Sequence, residues 1–275
     1  MSSSQSIGVP DRSDLLWIRE PLPYFLYPSL SLYPQLVHGT FTRQGGASSP
    51  PYDFLNTSYD VGDLPRNVTS NLAIIKNTLG ANHLIFMNQS HGNGVFVFKP
   101  EHMDKKVETL SVDAVITDTP NIAILVKQAD CQGVIIFDPE KRVVANVHCG
   151  WRGNAKNILG KVITRMKHDF GCKEHDLLAT IGPSLGPCCA EFVGHKKIFP
   201  NSFEKFMVRE NYFNLWAISE WQLVNAGLRQ ENIETSNICT RCRTDLFYSY
   251  RGEGETGRFG TVVMLKNEVP NLLLD

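Results

Sequence analysis

The sequence predicts an α+β fold: a single domain of mixed β-sheets packed together with flanking helices. Three observations lead there. Strand-like apolar runs come in a block, from "LIF" at Leu84 to "RVVANVH" ending at His148. Helical patterns are clustered rather than strictly alternating with strands. No GxGxxG follows a strand, so a doubly wound dinucleotide fold has no support. A length of 275 residues suits one large domain or two small ones, and no internal repeat or low-complexity tract divides it.

Taken in order, the polar start "MSSSQSIGVPDRSD" lacks the basic and apolar regions of a secretory signal. Residues 1–20 are expected to be a flexible tail and residues 21–275 a single domain. The stretch "RQGGASSPPYDFLNTSYDVGDLP" (Arg43 to Pro65) reads as a long irregular loop, the kind that is usually functional inside a compact domain. Val68, Leu72, Ile75 and Leu79 then recur at helical spacing, with Gly80 as a stop. Strand runs follow: "LIF", "GVFVF", "DAVIT", "IAILV", "VIIF" and "RVVANVH". The turn "DPEKR" joins the last two as a hairpin.

Behind them a helix is expected. Asn154 is its N-cap, Ile158, Leu159, Val162, Ile163 and Met166 form its apolar stripe, and Gly171 ends it. "LLATI" (from Leu177) is a strand leading into the loop "GPSLGPCC". Helical patterns lie near His195 to Phe206 and near Leu215 to Leu228. "CTRC", a short helical or turn segment "DLFYSYR" and a last strand "TVVML" complete the chain.

Composition narrows the function classes. The chain is 42% hydrophobic and 20% charged, ordinary for a globular protein with a sizeable core. A formal net charge of -1 gives no electrostatic reason for nucleic acid or an anionic membrane as partner. The apolar runs are too short to span a bilayer. Seven cysteines, an odd number without a signal, argue against a disulfide framework and for a reduced, cytoplasmic compartment. Small-molecule partners, and a monomer or weak homo-oligomer, are the expectation.

The candidate chemistry centres on "VKQADCQGVIIFDPEKRVVANVHCGWRG". Cys131 sits at the turn before one strand and His148 ends the next, so a hairpin makes them neighbours. His91 lies in the Gly-flanked turn "NQSHGNG". A Cys/His/His set is a zinc-type donor set that leaves a fourth position for water or substrate. The competing readings are a nucleophilic thiol and a small buried one. Arg152, in "GWRGN" before the expected helix, suits an anion pocket or a surface side chain packed on Trp151. Arg43 in "TRQGG" raises the same anion-holding possibility. The pairs Cys188–Cys189 and Cys239–Cys242 have the spacing of a second metal site. Adjacent cysteines diverge and chelate poorly, so buried or redox-exposed thiols are expected there instead. Cys149 and Cys172 read as packing residues.

"FTRQGG", "QSHG", "ADC", "HCGWRG", "IGPSLGPCC" and "CTRC…DLFYSYR…TGR" occur in the same order as in the YfiH/laccase-domain family, which the chain resembles from Phe41 to Leu265. That family was once labelled multicopper polyphenol oxidoreductase and is now described as purine nucleoside phosphorylase. The resemblance implies one catalytic domain of packed mixed sheets with helices outside. It implies zinc, with copper possible, held by His91, Cys131 and His148. The implied activities are phosphorolysis of adenosine, inosine and S-methyl-5′-thioadenosine, with phosphate as co-substrate, and deamination of adenosine. Some bacterial relatives are linked instead to peptidoglycan editing, an amidase reaction on an aminoacyl-muramyl precursor. The chain departs from the family at Cys149, usually Ala, at Gly133, often Pro, and at Asp60, often His. Cys149 beside the metal would add thiol chemistry or copper affinity. A metal-free Cys–His hydrolase and a metal-dependent binding protein are the remaining alternatives. A multicopper oxidase needs more convergent histidines than these motifs supply.

Overall fold

The computed structural model describes residues 15–103 and 110–267. In chain order the strands begin with β1 (Leu16–Ile18), β2 (Tyr24–Leu26), β3 (Leu36–Phe41), β4 (His83–Phe86) and β5 (Val95–Phe98). Next come β6 (Ala114–Thr117), β7 (Ile122–Gln128), β8 (Gln132–Asp138), β9 (Val143–Cys149) and β10 (Leu178–Ile181). The last are β11 (Met207–Arg209), β12 (Tyr212–Phe213), β13 (Ile233–Thr235) and β14 (Phe259–Leu265). The α-helices are α1 (Pro28–Ser31), α2 (Pro65–Thr78), α3 (Trp151–Ala155), α4 (Ile158–Phe170), α5 (His195–Ile198), α6 (Leu215–Asn225) and α7 (Tyr250–Glu253).

Two six-stranded sheets form, ordered β1-β2-β3-β14-β7-β4 and β13-β10-β8-β9-β6-β5. Both are mixed: β4–β7, β5–β6 and β10–β13 are parallel pairs among antiparallel ones. The period of two along each strand assigns its side chains to layers. On β7, Ile122, Ile124 and Val126 join Val115, Ile135, Phe137 and Val144 of the opposing sheet in one core between the sheets. Ala123 and Leu125 face the other way, onto Val68, Leu72 and Ile75 of α2. On β9, Val143, Ala145, Val147 and Cys149 face Ile158, Leu159, Val162 and Met166 of α4. The result is four layers: helix, sheet, sheet, helix. Strands covered on both faces must be apolar nearly throughout, which explains the unbroken runs in the sequence. Each fully buried Leu, Ile, Val or Met side chain contributes about 1.5–3 kcal/mol relative to exposure.

Several sequence expectations hold and several shift. The stripe of α4 is buried and Gly171 closes the helix at φ 69. Its N-cap is Asn157, whose side chain accepts from the Gly160 amide, and not Asn154, which lies inside the separate short helix α3. The pattern from His195 to Phe206 is broken into α5 and a 3-10 turn. Phe199 precedes Pro200 and is extended, with φ -105 and ψ 144, because a residue before proline is disfavoured in the helical region. The "DLFYSYR" segment ends in α7, capped by Ser249. Of the expected tail, residues 1–14 lie outside the described residues. Leu16–Ile18 is a strand paired with β2.

The loop from Arg43 to Pro65 is irregular but tied down. Asn71 of α2 is fully buried. Its Nδ2 lies within hydrogen-bonding distance of Ser48 Oγ (2.9 Å), Phe54 O (3.1 Å) and Asn56 O (2.8 Å), and its Oδ1 accepts from the Ala47 amide at 2.8 Å. One helix side chain therefore replaces the ladder this loop lacks. Asn71→Ala is expected to cost about 2–3 kcal/mol by leaving those groups unpaired. Chemical denaturation will read the loss, and limited proteolysis will show faster cleavage within residues 43–65.

Candidate metal centre

The β8–β9 hairpin pairs Gly133 with His148 and Gln132 with Cys149. Cys131 stands one residue before β8 and so reaches the end of β9. Asp130, just before it, has φ 87, a left-handed conformation that costs a non-glycine residue about 1–3 kcal/mol. Three donors hold it there. Thr240 Oγ1 and Ser249 Oγ donate to Asp130 Oδ1 at 2.7 and 2.6 Å, and the Arg251 amide donates to Oδ2 at 2.6 Å. Gly150 closes the opposite side. A Cβ on Gly150 would stand 2.8 Å from Cys131 Sγ, nearer than real contacts allow.

His91 follows β4 in a loop and also has positive φ, 56. Its amide donates to Asp113 Oδ1 at 2.9 Å. Asp113 also accepts from the Gly92 amide at 2.7 Å, Ser90 Oγ at 3.0 Å and His148 Nδ1 at 2.8 Å. An ionised carboxylate only accepts, so Nδ1 of His148 carries the proton and Nε2 is turned to the site. Sγ of Cys131 and one ring nitrogen each of His91 and His148 lie within 4.8 Å of one another. The two imidazole rings are 4.9 Å apart and nearly perpendicular.

The electrostatics follow from this packing. Burial alone would push the Cys131 thiol up, but His148 and then His91 outweigh it and bring it down to about 6. Burial alone would lower His148; Cys131 and then Asp113 reverse that and raise it to about 9. Burial would also raise Asp113, yet the His148 hydrogen bond and the amides around it hold its carboxyl below the usual range. Metal-free, Cys131 and His148 thus form a thiolate–imidazolium pair; a bound metal would displace the His148 Nε2 proton and take one thiolate and two imidazoles as donors, one imidazole backed by the Asp113 carboxylate. That is the chemistry of a zinc or copper site with an orienting partner. His91, Cys131 and His148 could together hold such an ion.

Cys149 does not share this face. Strand alternation turns it from His148 into the helix-side core, 1% exposed, where its thiol donates to Asn154 Oδ1 at 3.2 Å. Burial, with Cys131 second, pushes that thiol well up. It packs, and its sulfur does not face the site.

A cavity of about 580 Å³ opens over the three residues. Lys127, Arg152, Arg251 and Arg258 line it, with Asp60 and Trp151. Arg152 stacks 4.7 Å over the Trp151 ring and faces the cavity as well. The helix behind it, α3, has only five residues, so the expected helix entrance reduces to the Arg152 side chain. Arg43 is a correction. It is buried away from the cavity, donating to Glu253 at 2.7 Å and to the Thr244 and Asp53 carbonyls. Its role is to tie the long loop to α7, because that charge is already neutralised. Sequence reading assigned no role to Asp113, Lys127, Arg251 and Arg258. Their signals were present: an Asp opening a buried strand, a Lys inside one, and arginines in the "SYR" and "TGR" motifs.

Residues 37–266 match the family model described as multi-copper polyphenol oxidoreductase laccase. The chain belongs to this laccase family. It is 28% identical over 258 residues to a purine nucleoside phosphorylase of Bacteroides thetaiotaomicron, covering 87% of this chain and 95% of that one. It is 30% identical over 242 residues to a purine nucleoside phosphorylase of Haemophilus influenzae, covering 84% and 95%. The crystal structure of the hypothetical protein YfiH of Bacillus licheniformis superposes with a TM-score of 0.82 at 27% identity, covering 91% of this chain and 99% of that chain. Among laccase-family chains, then, this one is similar to members named for nucleoside cleavage.

The paired thiol and imidazole give a direct test. In metal-free protein, alkylation of Cys131 by iodoacetamide, followed on its own peptide by mass spectrometry, is expected to rise through pH about 6 instead of the ordinary value of 9.0. Asp113→Asn withdraws the charge that keeps His148 protonated, so the inflection moves upward. Added zinc protects Cys131.

Proposed function

We propose that the chain is a metal-dependent purine nucleoside phosphorylase acting on adenosine, inosine and S-methyl-5′-thioadenosine, with adenosine deamination at the same centre. The observation that carries this reading is a cationic cavity wall facing a Cys/His/His set. Among the described residues, neither Arg152 nor Arg258 has a carboxylate partner: Arg152 stacks on Trp151, and Arg258 donates to the neutral carbonyls of Thr256 and Gly257. Arg258 is half-buried and Arg152 exposed at the cavity wall, and guanidinium groups without a carboxylate partner favour an anion from solution. The cavity volume is in the range of small-molecule sites. The names of the relatives agree with it. The ion is proposed to be zinc, with copper as the alternative, and the compartment the cytoplasm.

Phosphorolysis breaks the bond between the anomeric carbon and the purine nitrogen and forms one from that carbon to a phosphate oxygen. The proton that phosphate brings ends on the purine. Arg152 and Arg258 hold the phosphate; the charge of Lys127 is already paired with Asp60 at 3.3 Å. The two arginines act by positioning the phosphate and by stabilising its charge. Trp151, Phe192 and Leu215 supply the apolar wall for the base. Zinc held by His91, Cys131 and His148 would supply Lewis acidity and lower the pKa of water toward neutrality, which deamination requires.

A second reading rests on Cys131, His148 and Asp113, which also have the order of nucleophile, base and orienting acid. It is a metal-free amidase acting on an aminoacyl-muramyl precursor. Metal dependence separates the two. Purified protein is expected to convert adenosine to adenine and ribose 1-phosphate only when phosphate is present, and to lose turnover on chelation and in Cys131→Ala. Arg152→Ala is expected to raise the KM for phosphate about tenfold, about 1.4 kcal/mol. Cleavage of the muramyl substrate that survives chelation, with nucleosides untouched, would favour the amidase.

A further inference from the structure

The cysteines expected to be plain thiols converge. Past the ends of β10 and β13 the two parallel segments stay paired: the Thr240 amide donates to the Ser184 carbonyl at 3.0 Å, and the Ser184 amide to the Ile238 carbonyl at 3.1 Å. Ser184 therefore sits opposite Cys239. On one side a turn brings the chain back, with the Cys189 amide donating to the Gly186 carbonyl at 2.9 Å. On the other, "CTRC" runs into a 3-10 turn at Arg241–Arg243. Cys239 precedes the turn and Cys242 lies within it, which folds the Cys242 sulfur back to within 4.8 Å of that of Cys239. The sequence objection, that neighbouring cysteines diverge, does not hold here. Cys188 Sγ and Cys189 Sγ each lie 3.6 Å from Cys242 Sγ. All four sulfurs lie within 4.8 Å of one another.

That spacing has a meaning. Four thiolates about 2.3 Å from one tetrahedral ion stand about 3.8 Å apart, and 3.6 Å is close to it. All four cysteines are free. The Gly186 amide points at Cys239 Sγ from 3.3 Å, as amides do toward ligating sulfur. We propose that Cys188, Cys189, Cys239 and Cys242 form a second, tetrathiolate metal site whose ion is zinc. Four protein ligands leave no position for substrate, so the site is structural. Both segments it joins grip Asp130: the Leu185 amide donates to its carbonyl at 2.8 Å and Thr240 Oγ1 to its carboxylate. The ion thus clamps the wall that holds Cys131 in its turn.

Metal counting tests this apart from the first centre. Folded Cys131→Ala protein, prepared with zinc and reductant, is expected to retain one zinc per chain. Adding Cys239→Ser and Cys242→Ser takes it to none. In the otherwise wild-type chain the same two substitutions remove one equivalent. Cobalt added to metal-free Cys131→Ala protein is expected to give intense visible bands and a near-ultraviolet thiolate charge-transfer band, saturating at one per chain and bleached by zinc. A folded Cys131→Ala chain that binds neither zinc nor cobalt overturns the proposal. So does a metal content unchanged by the Cys239→Ser and Cys242→Ser pair.

Discussion

The carboxylate of Asp113 is fully buried, and four donors converge on it from two segments. A buried charge of this kind is tolerated only when its lone pairs are filled, because the desolvation cost is several kcal/mol. Filling them fixes the site. The loop of Ser90, His91 and Gly92 must wrap the carboxylate, which sets His91 in its left-handed conformation. The end of β9 must present His148, which fixes the tautomer. The β8–β9 register then delivers Cys131 to the free nitrogen. Each proposed ligand is placed directly or at one remove by this single anion.

The four-layer fold makes that arrangement possible. His148 belongs to the row of β9 that faces the other sheet, with Val144 and Asn146. Asn146 is buried between the sheets and donates to the Ile124 and Thr261 carbonyls across the gap. His148 is the last member of that row, where the seam between the sheets opens into the cavity. One residue on, Cys149 belongs to the opposite row. Period-two geometry, not residue type, decides which of these neighbours meets the site.

Much of this was legible in the sequence, because local rules governed it. The buried strands announced themselves as unbroken apolar runs. The stripe and Gly171 marked α4, and the hairpin turn brought Cys131 to His148. What escaped reading depended on contacts between distant segments. Arg43 looked free in a glycine-rich loop, yet Glu253, far along the chain, neutralises it. Asp113 read as the start of a strand because its four donors are invisible until the fold closes. The 195–206 pattern was scored by apolar spacing, while Pro200 settled the outcome through backbone sterics. Asn154 reads as the cap of one helix, whereas the chain forms two and Asn157, at φ 51, caps the second.

Both proposed metal sites bear on Asp130. Cys131 is the next residue in the chain, and the Cys188/Cys189/Cys239/Cys242 group lies on the two segments that hold the Asp130 turn. A strained φ of 87 persists only where its surroundings over-determine it. Here three donors to the carboxylate and the Leu185 amide, which donates to the Asp130 carbonyl, do so. Ser249 and Arg251 belong to α7 and its cap, but Leu185 and Thr240 come from loops, so their rigidity has to be supplied. Hydrogen bonds between Ser184 and the 238–240 segment supply part of it, and a cross-link of four sulfurs would supply the rest. Placing the cross-link behind the turn leaves the cavity side of Cys131 open. The division follows from ligand number: the three-residue set has room for chemistry, and the four-cysteine set has room only for structure.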